Sequence, residues 1–271
     1  MGLGIAIVSL ALAALYLLLI RPAAVPAATR QRFAGYYAHR GLHDIERGMP
    51  ENSLPSFRQA VAAGYGIELD VQLTRDGEVV VFHDDDLRRV CGRPERVDAL
   101  DWSELSQLGL LGTKETMPLF RDVLAIVAGK VPLIVELKTG PRNDELCRAT
   151  LDLLREYQGT YCIESFNPFI VAWFRRNAPD ILRGQLAARF DRRELRSWLL
   201  RTVLTNMLLN IAARPQFIAY CHSDRTNLSF RLTRRLFGAL TVAWTVRDDA
   251  AERELGRDFD AVIFEGYRPE R

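Results

Sequence analysis

A closed barrel of eight parallel strands and their helices, carried behind one membrane-length helix, is the architecture this sequence predicts. Three observations predict it. An uncharged apolar run opens the chain, short apolar runs then alternate with amphipathic ones, and no linker-like tract breaks the alternation between residues 33 and 267.

In the opening run, Gly2 to Ile20, Ser9 and Tyr16 are the only clearly polar-capable side chains. As a helix the run would reach roughly 28 Å, close to the thickness of bilayer hydrocarbon. A cleaved leader would carry a positive segment before the run and a small-residue site after it, for which Ala23-Ala24 or Ala27-Ala28 would serve. Only the amino terminus precedes this run, and it is long for a leader, so a single-pass anchor in the cell membrane is expected. Arg21, Arg30 and Arg32 follow it, and the positive-inside rule then places the body of the chain in the cytoplasm. The expected organisation is an anchor over residues 1–21, a Pro/Ala-rich juxtamembrane linker over 22–34 and the barrel over 35–271.

The 271 residues are 48% hydrophobic and 26% charged, an ordinary globular balance with enough apolar material for one large domain. A net charge of +2, with the arginines dispersed, argues against a nucleic-acid partner. Cys91, Cys147, Cys162 and Cys221 lie far apart without a CxxC pair and read as free thiols.

The expected strands are Tyr36–Arg40, Gly66–Val71, Val131–Leu137, Thr160–Ser165, Leu182–Ala187, Gln216–Tyr220, Leu240–Val246 and Ala261–Glu265. Between them lie helical patterns at Ser53–Ala63, Leu119–Ala128, Asp144–Tyr157, Pro168–Asn177, Arg192–Ala213, Leu228–Phe237 and Asp248–Leu255. Eight strands is the number that closes a barrel, although alternation alone also allows an open doubly wound sheet. One segment departs from the alternation. Glu68–Arg75 runs through Asp76-Gly77 into Glu78–His83, too short a connection for a parallel crossover. Asp-Gly is a favoured two-residue hairpin turn. With those two at the tip, Arg75 pairs with Glu78, and Asp70 is expected opposite His83.

Strand residues two apart share a face, so Glu68 and Asp70 point the same way. Glu136 and Lys138 repeat the pattern on the next barrel strand. Carboxylates crowded inside a barrel repel one another unless a cation sits between them. Three oxygen ligands, Glu68, Asp70 and Glu136, suit Mg²⁺ or Ca²⁺ better than zinc. His39-Arg40-Gly41 ends the first strand, and Arg40 has the fork that grips phosphate. His39 and His83, facing such a centre, can divide acid and base roles.

These residues stand within motifs similar to those of the glycerophosphodiester phosphodiesterases. The motifs are Ala38-His39-Arg40-Gly41, Pro50-Glu51-Asn52-Ser53-Leu54, Ile67-Glu68-Leu69-Asp70-Val71, Thr74-Arg75-Asp76-Gly77 and Val81-Phe82-His83-Asp84. Met117-Pro118-Leu119-Phe120, Val135-Glu136-Leu137-Lys138, Ser165-Phe166 and Trp244-Thr245-Val246 continue the series, so the resemblance covers residues 35–266. It implies a TIM-barrel phosphodiesterase acting on a glycerophosphodiester or a lysophospholipid, with a divalent metal on Glu68, Asp70 and Glu136. His39 and His83 would be its acid/base pair, with Arg40 and Lys138 offsetting phosphate charge. Glu51 would be an outer partner of the metal or a histidine. A catalytically inactive, membrane-tethered scaffold barrel is the reading from another class, and the complete charged set argues against it.

The resemblance leaves two departures. Phe264-Glu265-Gly266 stands where the family commonly closes with Thr-Asp, which makes the role of Glu265 an open question. Leu42–Met49 lengthens the first loop and adds His43, expected at the loop surface. Two further features stay open. Trp244 is either a wall of the substrate pocket or core. Arg192–Ala213 is either an outer barrel helix with a broad apolar face or an interfacial helix with Trp198 at headgroup depth.

Overall fold

A computed structural model describes residues 2–255 and 258–270. The helices are α1 (Gly2–Ile20), α2 (Ala27–Phe33), α3 (Leu54–Ala63), α4 (Arg88–Cys91), α5 (Trp102–Leu105), α6 (Phe120–Val127), α7 (Asn143–Glu156), α8 (Pro168–Asn177), α9 (Trp198–Thr205), α10 (Asn210–Ala213), α11 (Leu228–Phe237) and α12 (Asp249–Leu255). The strands are β1 (Gly35–His39), β2 (Gly66–Leu73), β3 (Val79–Val81), β4 (Leu133–Leu137), β5 (Tyr161–Ser165), β6 (Arg183–Ala187), β7 (Phe217–Cys221), β8 (Leu240–Val246) and β9 (Ala261–Phe264).

Every strand except β3 runs parallel, in the order β1-β9-β8-β7-β6-β5-β4-β2, and β1 also pairs with β2. That last pairing, Tyr37 with Gly66 through His39 with Glu68, closes the barrel and excludes the open sheet. The closure has a steric condition. A Cβ on Gly66 would come within 2.6 Å of the Tyr37 ring, so only glycine lets these two strands meet. The core between barrel and helices is aliphatic and aromatic, with Leu69, Val71, Val135 and Ile163 facing Phe57, Phe120 and Phe174. Such burial, worth about 1.5–3 kcal/mol per large side chain, is what holds the outer helices on.

The hairpin forms one residue out of the expected register. Val71 pairs with Val81 and Leu73 with Val79, so Thr74 faces Glu78 and Asp70 faces Phe82. The reason is the turn. A two-residue Asp-Gly turn needs positive φ at both positions, and only Gly77 has it here, at 89°. Thr74 Oγ1 donates to Asp76 while accepting from the Glu78 amide, which fixes a three-residue loop over Arg75–Gly77. His83 therefore leaves the ladder instead of facing Asp70. Gly77→Ala is expected to cost about 1–2 kcal/mol, read as a lower urea midpoint at unchanged slope. An unchanged midpoint would contradict the three-residue turn.

The stretch 192–213 is likewise not one helix. It breaks into α9 and α10 about Met207, whose φ is 53°, and residues 192–197 form a non-helical approach that Ser197 caps. The juxtamembrane stretch does not form a free linker. Its α2 helix lies under the barrel, with Phe33 buried against Tyr37. Arg30 donates to Asp260 at 2.6 Å, just before β9, and the Ala23 amide donates to Pro215 O, just before β7. A chain starting near Thr29 would thus lose part of α2 as well as the anchor.

Candidate active site

The site lies where the C-terminal ends of β1, β2, β4 and β5 converge, the usual functional face of a TIM barrel. Strand register assembles it. Parallel pairing sets His39 beside Glu68, Asp70 beside Glu136 and Glu136 beside Glu164. Glu68, Asp70 and Glu136 are buried, and one oxygen of each lies within 4.8 Å of the others. Lys138, two residues beyond Glu136, reaches back with Nζ 2.9 Å from Glu136 Oε1 and 3.3 Å from Asp70 Oδ1.

After β1 the chain turns sharply. Arg40 has φ 55°, and Gly41 has φ 81° with room for a Cβ denied by Ser56 Oγ at 2.4 Å. The turn aims the Arg40 amide at Glu68 Oε2, at 3.1 Å, and brings its Nε 3.7 Å from Asp70 Oδ2. Asn52, also left-handed at φ 52°, donates to Asp70 Oδ2 at 2.9 Å.

The two histidines line the same cleft as the cluster. His39 Nε2 lies 4.0 Å from Glu68 Oε2, whereas the field of His83 is felt by Asp70 and Glu136. Each ring is held from behind by a carboxylate. His39 Nδ1 is 3.2 Å from Glu265 Oε2, and His83 Nδ1 is 2.7 Å from Asp84 Oδ1. A carboxylate can only accept, so each Nδ1 carries the proton and each Nε2 of a neutral ring is left as the acceptor. This answers the question over Glu265, which takes the orienting position. His43 is drawn in as well, its Nε2 3.4 Å from Glu265 Oε1, and so it is not a loop-surface residue.

Glu51 lies outside the acidic cluster, held between two arginines. Its hydrogen bonds come from Arg40 and Arg89, and Arg89 also donates to Asp84 behind His83. The acid therefore positions two arginines and, through Arg89, steadies the His83 carboxylate.

Phe166, Leu186, Trp244 and Ile263 give the cleft an apolar stretch of wall, beside the polar His222, Ser223, Thr245 and Arg247. Trp244 packs edge-on against Phe166 and its Nε1 has no partner, which makes it a wall with a free donor.

Charge at the site is unbalanced. Burial, reinforced by the charges of Asp70 and Glu136, pushes the Glu68 carboxyl well above its ordinary range. Burial acts the same way on Glu164, with Glu136 and Asp70 adding to it. Burial would raise Asp70 too, but Lys138, His83 and Arg40 outweigh it and hold Asp70 ionised. Four buried carboxyl groups, Glu68, Asp70, Glu136 and Glu164, thus face two cations, Arg40 and Lys138. Glu164 Oε2 has no hydrogen-bond partner. An excess of buried acid, oxygen donors within mutual reach and an orphaned carboxylate oxygen fit a divalent cation.

Glu164 and Asn52 were not among the residues expected from the sequence. The signal for Glu164 was present, because Cys162-Ile163-Glu164-Ser165 repeats the strand-end acid of Val135-Glu136 on the neighbouring strand. Asn52 stands in the Pro50–Leu54 motif without a role assigned to it, and its contact with Asp70 depends on a left-handed backbone.

Burial lowers the His39 pKa below its ordinary 6.5, while Glu265 works to raise it. A cation on the carboxylates would lower it further. His39 acting as a base must be neutral, so kcat/KM should fall on an acid limb that lies below 6.5. Glu265→Gln removes the raising charge, so the limb should move to still lower pH while the plateau rate drops. A plateau loss with no movement of the limb would reduce Glu265 to a structural role.

Fold and site together define a TIM barrel with an acidic cation site and two carboxylate-held histidines at its mouth. The chain belongs to the glycerophosphoryl diester phosphodiesterase family, whose profile matches residues 39–265. It is 31% identical over 163 residues to a glycerophosphodiester phosphodiesterase of Caldanaerobacter subterraneus, an alignment covering 55% of this chain and 65% of that protein. The match thus spans just under two thirds of that relative. A human lysophospholipase D is 29% identical over 52% of this chain and 48% of its own length. Among solved structures, an Oleispira antarctica phosphodiesterase in complex with the product sn-glycerol-3-phosphate superposes with a TM-score of 0.71. It is 24% identical, covering 86% of this chain and 93% of that one, and shows the shared fold.

Proposed function

We propose that this chain hydrolyses glycerophosphodiesters to an alcohol and glycerol phosphate, with His39 and His83 as the acid/base pair. The observation that carries the reading is the pair of histidines, each held at Nδ1 by a carboxylate, in one cleft with a buried acidic cluster. Glu68, Asp70 and Glu136 would hold a divalent metal, Mg²⁺ or Ca²⁺ by their all-oxygen donor set, which when bound neutralises charge on the phosphoryl oxygens. Arg40 offers to a phosphoryl oxygen a buried Nε–H that makes no hydrogen bond, its ion pair with Asp70 being 3.7 Å long. Lys138 helps hold Asp70 ionised, works against the burial that raises the Glu136 carboxyl, and offsets the charge of the incoming diester. One imidazole Nε2 takes the proton of the attacking O–H, of water or of a glycerol hydroxyl whose cyclic phosphate water then opens, as the new P–O bond forms. The other, protonated, gives its proton to the departing alkoxide oxygen. Trp244 and Phe166 wall the side on which the alcohol or glycerol lies.

A second reading, hydrolysis of lysophospholipids, rests on that apolar wall and on the resemblance to a protein named lysophospholipase D. A panel of glycerophosphocholine and lysophospholipids, run with and without chelator, tests both. Chelator-insensitive turnover would remove the metal, and turnover of neither substrate would remove the activity.

The anchor belongs to the same proposal. The helix α1 is long and apolar enough to cross a bilayer and almost wholly exposed on the folded chain. A single-pass protein of the cell membrane with its barrel in the cytoplasm is the reading we adopt. The protein should stay in the pellet under alkaline carbonate, and protease added to intact cells should spare the barrel. Digestion there would place the barrel outside; release by carbonate would remove the anchor.

A further inference from the structure

We propose that the catalytic mouth sits face-down on the bilayer that α1 crosses, seated by an apolar rim made of α9 and the starts of α8 and α11. The inference rests on α1 being an anchor, and it begins with the direction in which that helix leaves the barrel. Ile20 O accepts from Asn210 Nδ2 of α10, and Ala23 N donates to Pro215 O just ahead of β7. Both contacts lie toward the N-terminal ends of the strands. One turn earlier, Tyr16 Oη bonds Ser229 Oγ at 2.6 Å. Ser229 stands at the first turn of α11, the end nearest the catalytic mouth. Going back from Ile20 to Tyr16, the helix therefore climbs toward the mouth. Residues 2–15 are exposed and carry it on in that direction, by about 21 Å.

The length sets the membrane level. A hydrocarbon core of about 30 Å is longer than the stretch that residues 2–15 supply, so the barrel cannot stand off from the bilayer and the boundary comes down at least to Tyr16 and Ser229. The surface at that level is apolar. Outside α1, eight large hydrophobic side chains are exposed among the described residues. Six of them lie on loops or helix starts at the catalytic end, and five of these belong to three consecutive βα connections. The five are Phe169 (64% exposed), Trp198 (70%), Leu199 (58%), Leu200 (43%) and Leu228 (59%). Leu228 is the neighbour of Ser229, the residue that α1 itself grips. The approach to α9 is basic and exposed, with Arg189, Arg192, Arg193 and Arg196 against Asp191 and Glu194. Exposed tryptophan and leucine next to arginine match an anionic headgroup layer over acyl chains.

The rim is also joined to the site. Phe190, in the segment leading to α9, packs edge-on against Phe166, which packs against Trp244 in the cleft wall. An apolar path therefore runs from the rim to the reacting centre, along which an acyl or alkyl tail could remain in the bilayer while its phosphodiester enters the cleft.

Fluorescence of Trp198 in the full chain, reconstituted in vesicles containing anionic lipid, tests this. The difference between wild type and Trp198→Phe isolates its emission. We expect it to be blue-shifted and quenched by lipids brominated on their acyl chains, at any protein-to-lipid ratio. Emission at a water-exposed wavelength, unquenched by those lipids, would overturn the proposal. So would a blue shift that brominated lipid leaves untouched and that reverts on dilution, because a second copy would then cover the rim. Soluble glycerophosphocholine turnover in the same vesicles is a separate readout. Its absence would strike the proposed chemistry and leave the docking result standing.

Discussion

Replacing Glu68, Asp70 or Glu136 by alanine should lower turnover about 10³-fold or more while the barrel still folds, because each removes a charge from a preorganised electrostatic centre. Turnover and thermal unfolding, each with and without added Mg²⁺ or Ca²⁺, give the check. A bound cation at one hundred times its Kd stabilises by about 2.7 kcal/mol, or roughly 5–10 °C in a chain of this size. That increment should vanish in the variants. Glu68→Gln separates binding from folding. Burial among Asp70 and Glu136 raises the folded pKa of Glu68, so its carboxyl helps the metal-free fold only while protonated. That contribution is present below the ordinary value near 4.5 and is lost as pH rises through the raised one. Chelated Glu68→Gln should thus be at least as stable as chelated wild type at neutral pH, yet inactive. An equal Tm rise with cation in wild type and variant would move the metal elsewhere.

His39→Ala and His83→Ala should each reduce kcat by about 10²-fold or more, the usual scale for a general acid or base. The two act within one displacement, so the double variant should fall far short of the product of the single losses. Single-turnover rates on a soluble glycerophosphodiester measure this directly. Multiplicative losses would mean that the histidines serve different steps, and a near-normal rate for His83→Ala would remove it from the reaction. Asp84→Asn offers a graded comparison, because it leaves the His83 ring in place and weakens only the contact that orients it.

Much of this was legible before folding. The period-two spacing of Glu68 and Asp70, the repeat at Glu136 and Lys138, and the strand-ending His39-Arg40-Gly41 are local patterns. Local backbone geometry is enough to tell which of those side chains share a face. The alternation of strand and helix, and α1 as a single apolar helix, are local in the same sense. Barrel closure was not, since alternation is common to open and closed sheets and only the β1–β2 pairing decides. The hairpin register turned on the φ of a single residue, Asp76, which composition does not encode. The partners behind the histidines come from far along the chain or from a network. Glu265 reaches His39 from the end of β9, the strand paired with β1, and Arg89 joins Glu51 to Asp84. The juxtamembrane stretch read as a linker because its few apolar residues have no periodic pattern, yet Phe33 and Arg30 find their partners at the foot of the barrel. Sequence by itself determined which residues could do the chemistry, because side-chain type and strand period are properties of neighbours. Only the tertiary structure decided what holds them and which way α1 leads, because those contacts join residues as far as 226 positions apart and exist only once the barrel closes.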